Sequence, residues 1–329
     1  MREIKKIMNE LEEKFLKETA EPIFENYKKE VMLKLLDNEE KLKIQILSVL
    51  QNIANKAKKR ENYKVKYIDF SLLQIEFLKE KYEVTAIAYD ENWYASDGIW
   101  EIFSVDYIFE ELKDIKEKLY RDIKKYVGKI RLSCIDQYIL KQLSTYNIYL
   151  SYFVIKSLKQ WDEEASFKEM PKAEELQIIW GEYKNCSQKV YYYDSNPKTE
   201  KLFKELIQRG KQEETVFSSW TGIKVDTVKI ENKDISCMNL KESELKEIFF
   251  LSSTAVGLNF KKANLKKCYF RNCDLGASDF SESNLEEVVF ENCILRNISF
   301  RDAKFKDVYL SDGKTFNEIL KEEDLYKKI

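Results

Sequence analysis

Histidine does not occur in this chain of 329 residues. Its absence removes Ser-His-Asp and Cys-His nucleophile arrangements and His-ligated metal chemistry together. Glycine and proline are scarce, with 8 and 3 residues. No two glycines stand close enough for a GxGxxG turn or a P-loop, so no cofactor or metal site is read from the sequence. The residues that build long irregular loops are few as well. Neither charge is in excess, with 56 Lys+Arg against 58 Asp+Glu. A dedicated nucleic-acid binder usually carries a basic excess, so direct nucleic-acid binding is not expected. The N-terminal MREIKKIMNELEEKF is charged and amphipathic, without the apolar core of a secretion signal. Residues 147–158 form the most apolar stretch, too short for a bilayer and read as a buried helix. Cys134, Cys186, Cys237, Cys268, Cys273 and Cys293 form no CxxC pair and read as free thiols of a reducing cytoplasm.

Apolar and aromatic residues, by contrast, are plentiful: 44% hydrophobic, with 20 Tyr and 19 Phe. Disorder is therefore not the default, and the length suits two domains. Residues 2–60 carry apolar positions at helical spacing, with Pro22 expected to end the first helix near Ala20. Further helices are expected over 23–36 and 39–59. Alternation at period two predicts strands over 63–72 and 82–89. Helices follow over 106–126 and 133–161, then a strand pair over 177–183 and 189–193, turning around Asn185. Pro197 suits the first turn of a helix ending at Gly210. Residues 1–214 read as one mostly helical α+β domain.

Beyond residue 238 a period of five appears. Large apolar residues recur from Leu240 and Leu245 through Phe250, Phe260, Leu265, Phe270, Leu275, Phe280, Leu285 and Phe290 to Phe305 and Leu310, with only Ala255 small. Two positions earlier runs a second uncharged series, including Ser243, Ala263, Cys268, Cys273, Ser283 and Cys293. Neither a helix nor a flat strand has this period. It requires a chain that turns a corner every five residues and points two of them inward. Columns sort by size at a spacing of twenty: Leu240, Phe260, Phe280 and Phe300 against Phe250, Phe270, Phe290 and Leu310. Four such walls fill a square interior. The register extends back through Ile230, Val228, Val225 and Ile223 to Trp220, so about four and a half coils are expected over 218–312.

Units such as Ala263-Asn264-Leu265, Cys273-Asp274-Leu275 and Ser278-Asp279-Phe280 make this segment resemble the pentapeptide-repeat family. The resemblance implies a right-handed quadrilateral β-helix over 215–312. Residues 313–329, with Phe316, Ile319, Leu320, Leu325 and Ile329 at helical spacing, are expected to form a C-terminal helix. That helix would cap the solenoid or pair with a second copy, and the N-terminal domain would cover the other end.

The residue before each large inward position points outward. On one face these are apolar: Phe249, Tyr269, Val289 and Tyr309, with Leu251 beside them. Such a ladder marks an interface, either for the chain's own domain or tail or for a protein partner. A second feature is an acidic set, Asp274, Asp279, Glu282, Glu286, Glu287 and Glu291. A solvated surface is its simplest reading. Some members of the family protect DNA gyrase and topoisomerase IV as acidic, DNA-shaped rods. The short, near-neutral solenoid and large N-terminal domain depart from that pattern. The sequence thus reads as a cytoplasmic, non-catalytic protein–protein interaction scaffold. Topoisomerase protection is the alternative, and an enzyme in the first domain a third class.

Overall fold

The computed structural model describes residues 2–182, 187–322 and 324, with side chains from residue 8 onward. The chain divides into two compact units, 1–191 and 192–329.

In the first unit α1 (Arg2–Phe15) continues through a π-helical turn, Leu16–Ala20, into α2 (Glu21–Asp37). Pro22 therefore does not stop the helix. It lies in the first turn of α2, where a missing N–H is harmless, and the wide π turn takes up the irregularity. Next comes α3 (Glu39–Ala57), which buries Leu42, Ile46, Val49, Leu50 and Ile53 on one stripe.

Five strands form one sheet: β1 (Val65–Leu72), β2 (Glu83–Tyr89), β3 (Ile99–Ser104), β4 (Lys172–Glu182) and β5 (Ser187–Asp194). Their order is β3-β2-β1-β4-β5, with β1 antiparallel to β2 and parallel to β4. The helical chain between β3 and β4 makes that parallel pairing possible. Short α4 (Gln74–Leu78) separates β1 from β2. Before β4 come α5 (Asp106–Phe109), α6 (Leu112–Asp122), the long α7 (Leu132–Leu158) and α8 (Ala165–Glu169). On one sheet face Phe70 meets Phe103 and Trp180 at ring separations of 6.5 and 6.0 Å. Helix α3 covers this face and is tied to it by Lys56 and Glu101 at 2.6 Å. Strand β3 is absent from the sequence reading. It has turn residues before it, and its apolar Trp100 and Ile102 stand exposed, which blurs the alternation. The expected turn at Asn185 and Cys186 lies outside the described residues. No described helix is long and apolar enough to cross a membrane.

The second unit opens with α9 (Glu200–Arg209), whose N-cap is Thr199: its hydroxyl accepts from the Leu202 N–H at 3.3 Å. Pro197 lies ahead of this helix, not in its first turn, because Thr199 supplies the better start. Buried Phe203 and Ile207 of α9 join the solenoid core, with Phe203 edge-on to Trp220 at 5.1 Å. A short α10 (Gln212–Thr215) follows.

Bridges then start at Ser219 and recur at twenty-residue spacing. Strands β6 (Lys224–Glu231), β7 (Glu244–Leu251), β8 (Asn264–Lys266) with β9 (Tyr269–Arg271), β10 (Asn284–Glu291) and β11 (Lys304–Ser311) stack in parallel. Two further columns of single bridges run through Asn239, Asn259 and Asp279 and through Asp234, Thr254 and Asp274. Each twenty-residue coil thus pairs at four places, in a β-solenoid of about four turns. A left-handed backbone recurs every fifth residue, as at Glu242, Glu247, Ser252, Lys262, Lys267 and Asn272, with φ between 48° and 60°. These are the corners. Gly257 takes the same corner role with φ of 70°.

Inside, Phe250, Phe270 and Phe290 stack with centroids 4.4 and 5.1 Å apart. Phe260, Phe280 and Phe300 form a second stack at 4.6 and 5.0 Å. The stacks meet edge to face at about 6 Å. Ring spacing along each stack therefore matches the distance between hydrogen-bonded strands.

The expected C-terminal helix is not formed by its first part. Phe316–Ile319 is strand β12, antiparallel to β11, and buries Ile319. The turn before it is held by Asp312, whose Oδ1 accepts from the N–H groups of Lys314 and Thr315 at 2.9 and 2.8 Å. An added strand satisfies the open edge of the last coil, which a helix would leave unpaired. Leu325 and Ile329 lie outside the described residues.

Candidate interaction surface

The five-residue unit decides which side chains face out. Two of every five fill the interior, the last is a left-handed corner, and the residue between the inward pair stands at the middle of the outer face. In two columns that middle position is most often Asn or Asp, with Thr254, Ile294, Ser219 and Ser299 at the remaining places, and where it is Asn or Asp it serves the backbone. Asn239, Asn259, Asp274 and Asp279 each accept the N–H two residues on, at 3.1, 3.0, 3.0 and 2.9 Å. Such local bonds fix the chain ahead of the next corner.

In the β6–β7–β9–β10–β11 column the middle positions differ. Phe249 pairs in register with Tyr269, Tyr269 with Val289, and Val289 with Tyr309. These four form one straight ladder across adjacent coils. Phe249 is 42% exposed, and the other three are half-buried. A groove of about 390 Å³ runs along it, lined by Phe249, Tyr269 and Val289 with Lys267, Cys268 and Glu287. Leu251 does not join the exposed set: it is buried at 8% exposure. Tyr269 donates its hydroxyl to Glu291, which anchors that ring at the edge of the ladder. The last rung, Tyr309, pairs with Glu318 of β12. The sequence reading did not find this neighbour, since it treated the segment as helix.

The six acidic residues are not brought together. Asp274 and Asp279 sit in different columns, and Asp279 is only 4% exposed. Glu282 stands at a corner, 3.6 and 3.7 Å from Lys261 and Lys262. Glu286 lies between Lys306 and Lys266, at 2.6 and 3.0 Å, and these ammonium groups hold its carboxyl below the usual range. Glu287 occupies the following corner, and Glu291 accepts from Tyr269. Lysines from neighbouring coils therefore offset the charge of Glu282 and Glu286.

Cys268 and Cys273 are buried in the interior of the repeat, Cys293 is partly buried against it, and Cys237 stands at a corner. Burial pushes Cys268 up to about 12, so it is not a nucleophile at neutral pH. Cys273 and Cys293 stack one coil apart; the hydrogen bond between them, and then burial, raises the Cys293 thiol. Among the described residues no group of three potential ligands could hold a metal ion.

Residues 250–317 match the family model of the pentapeptide repeat region. This stretch is a pentapeptide repeat. The first unit is unassigned, and no curated protein matches the chain. Among solved structures, a pentapeptide repeat protein from the thylakoid lumen of Arabidopsis thaliana is 15% identical, over 34% of this chain and 72% of its own, with a TM-score of 0.19. QnrB1, a plasmid-mediated fluoroquinolone resistance protein, is 12% identical over 30% and 67%, with a TM-score of 0.13. HetL, involved in heterocyst differentiation regulation in the cyanobacterium Nostoc, is 12% identical over 30% and 57%, with a TM-score of 0.11.

Proposed function

We propose that this protein is a non-catalytic scaffold of the cytoplasm whose repeat presents the Phe249–Tyr269–Val289–Tyr309 ladder to a partner protein. The observation that carries the reading is the register itself. Three aromatic side chains and a valine replace the polar middle residue in four successive coils, on a rigid backbone. Aromatic anchors held rigid lose little entropy on binding, which suits them to dominate an interface. The twenty-residue register and the corner every fifth residue support a right-handed, quadrilateral coil, so that the ladder occupies one flat side. Topoisomerase protection by DNA mimicry finds less support, because the carboxylates are dispersed and two of them, Glu282 and Glu286, lie against lysines.

Affinity capture from the native host tests the scaffold reading, comparing the chain with a Phe249→Ser, Tyr269→Ser, Tyr309→Ser variant. A partner held by the first and lost by the second, with unchanged thermal unfolding, is the expected result. Identical captured sets from two folded proteins would sink it. Loss of folding in the variant would instead make the ladder an internal contact.

A further inference from the structure

Cys273 and Cys293 occupy the same place in adjacent coils. The residues after them, Asp274 and Ile294, pair in parallel, and the Ile294 N–H donates to the Cys273 carbonyl at 2.9 Å. Each Sγ lies 3.4 Å from the carbonyl two residues back, that of Arg271 and that of Glu291, so the two side chains hold the same orientation. One thiol therefore stands over the other, a strand spacing of about 4.8 Å along the solenoid, and the two share a hydrogen bond. That spacing falls within the roughly 4.4–6.8 Å between the Cα atoms of a disulfide. The other thiols of the repeat lack such a neighbour. Cys268 has Ile248 and Val288 at its place in the coils on either side, and Cys237 has Phe217 and Gly257.

Access and charge favour reaction at this pair. Cys273 is buried at 1% exposure, but Cys293 is partly buried and lines a surface cavity of about 680 Å³ with Ile294, Arg296, Leu310 and Thr315. Ile294 is the last bridge of its column among the described residues, so this wall of the coil is held from one side only. The hydrogen bond with Cys293 lowers the Cys273 thiol to about 7, against burial, and raises Cys293 in turn. The pair thus releases one proton near neutrality. The proton it keeps passes between the sulfurs, which brings the thiolate to the accessible one. We propose that Cys273 and Cys293 form a reversible disulfide between adjacent coils, with a low-molecular-weight disulfide as the oxidant. The Cys293 thiolate attacks one sulfur of the oxidant, forming a mixed disulfide and expelling one small thiolate. Cys273 gives up its proton, attacks the Cys293 sulfur and expels the second. Two protein thiols become one disulfide, and the oxidant leaves as two small thiols carrying both electrons and both protons. The bond staples the coil that ends the Ile294 wall to the coil before it.

The test is incubation of the whole folded chain with glutathione disulfide at about pH 7.5, followed by alkylation, Glu-specific proteolysis and mass spectrometry. Glu282, Glu286, Glu287 and Glu291 separate the two cysteines in sequence, so a link joins two fragments. Expected is a Cys273–Cys293 link that dithiothreitol reverses, with a higher urea midpoint for the oxidised chain. Cys293→Ser should lose the link and leave Cys273 unmodified. Cys273→Ser should instead accumulate the glutathione adduct on Cys293. Serine already fills this column at Ser253, which suits both variants to the fold. Far-UV circular dichroism checks folding, and if one variant is unfolded the other and the unaltered chain decide. No link in the folded chain, a link formed only after unfolding in urea, or equally fast modification of Cys268 would each overturn the proposal.

Discussion

Asn272 stands at a left-handed corner with φ of 53° and an exposed side chain, so its contribution is conformational and not a matter of packing. Asparagine tolerates this backbone and glycine adopts it freely, whereas a β-branched residue, such as Thr227 at its own corner with φ of 53°, does so at a steric cost. Asn272→Gly should leave stability within a few tenths of a kcal/mol, and Asn272→Val should cost about 1–2 kcal/mol. Urea unfolding of both variants measures the difference, and a null effect of valine would argue against a strained corner. Asp69 presents the opposite case, a buried group that the fold tolerates at a cost. It sits in the centre of β1 at 3% exposure, with one oxygen unpartnered. Desolvation pushes its carboxyl up to about 6, against a hydrogen bond from Tyr94 that favours the charge. Well below the ordinary aspartate value of 3.8 the carboxyl is neutral in both the folded and unfolded chain. As pH rises toward 6 only the unfolded form ionises, so stability falls and then levels off. Asp69→Asn should therefore stabilise the protein by about 2–3 kcal/mol at pH 7.5 and by little at pH 4. Denaturant titrations at the two pH values check the sign. Sequence could show Asn272 in a repeat, because its neighbours fix its position by counting. It could not show Asp69 as buried, because alternation placed it on the polar face of a strand, and only the tertiary covering decides what lies over that face.

The Phe stacks are the clearest element-level feature, and their energetics follow from geometry. Phe270 touches rings above, below and on both flanks, at 4.4, 5.1, 6.1 and 6.1 Å. Phe270→Ala would leave a hole that the rigid coils cannot close, at about 3–5 kcal/mol. The same change at exposed Phe249 should cost under about 1 kcal/mol. Thermal unfolding that ranks the two variants in the reverse order would contradict the assignment of inside and outside. A repeat is legible at this scale because each coil restates the pattern of the previous one. The elements at its ends are not restated. The tail shows why: Phe316, Ile319 and Leu320 fit helical spacing as well as strand spacing. Only the open edge of β11, a feature of the folded coil, selects the strand. Edge strand β3 was missed for a related reason, since its exposed Trp100 and Ile102 carry no inside–outside signal. Helix α9 was foreseen, but its role as the lid on Trp220 depends on a contact that spacing does not encode.

For the whole molecule the question is which surface meets other molecules. Dispersed carboxylates, with Glu282 and Glu286 against lysines, make a poor phosphate mimic. The protein should therefore leave fluoroquinolone inhibition of DNA gyrase unchanged in a supercoiling assay. Restored supercoiling at stoichiometric protein would revive the alternative. The apolar ladder was legible from sequence, because its four members fall at one place in the repeat. The burial of Asn147 was not: in sequence that residue is one polar letter in an apolar helix, and only the folded surroundings of α7 enclose it. The corner at every fifth residue has a further consequence for how such a surface can change over time. Because each rung of the ladder is one coil from the next, duplicating twenty residues would lengthen it by one rung and keep every later side chain on its own wall. Inserting five would turn all later rungs onto the adjacent wall and cut the ladder in two. Growth of this face is thus quantised in whole coils, while the identity of each rung is free to vary.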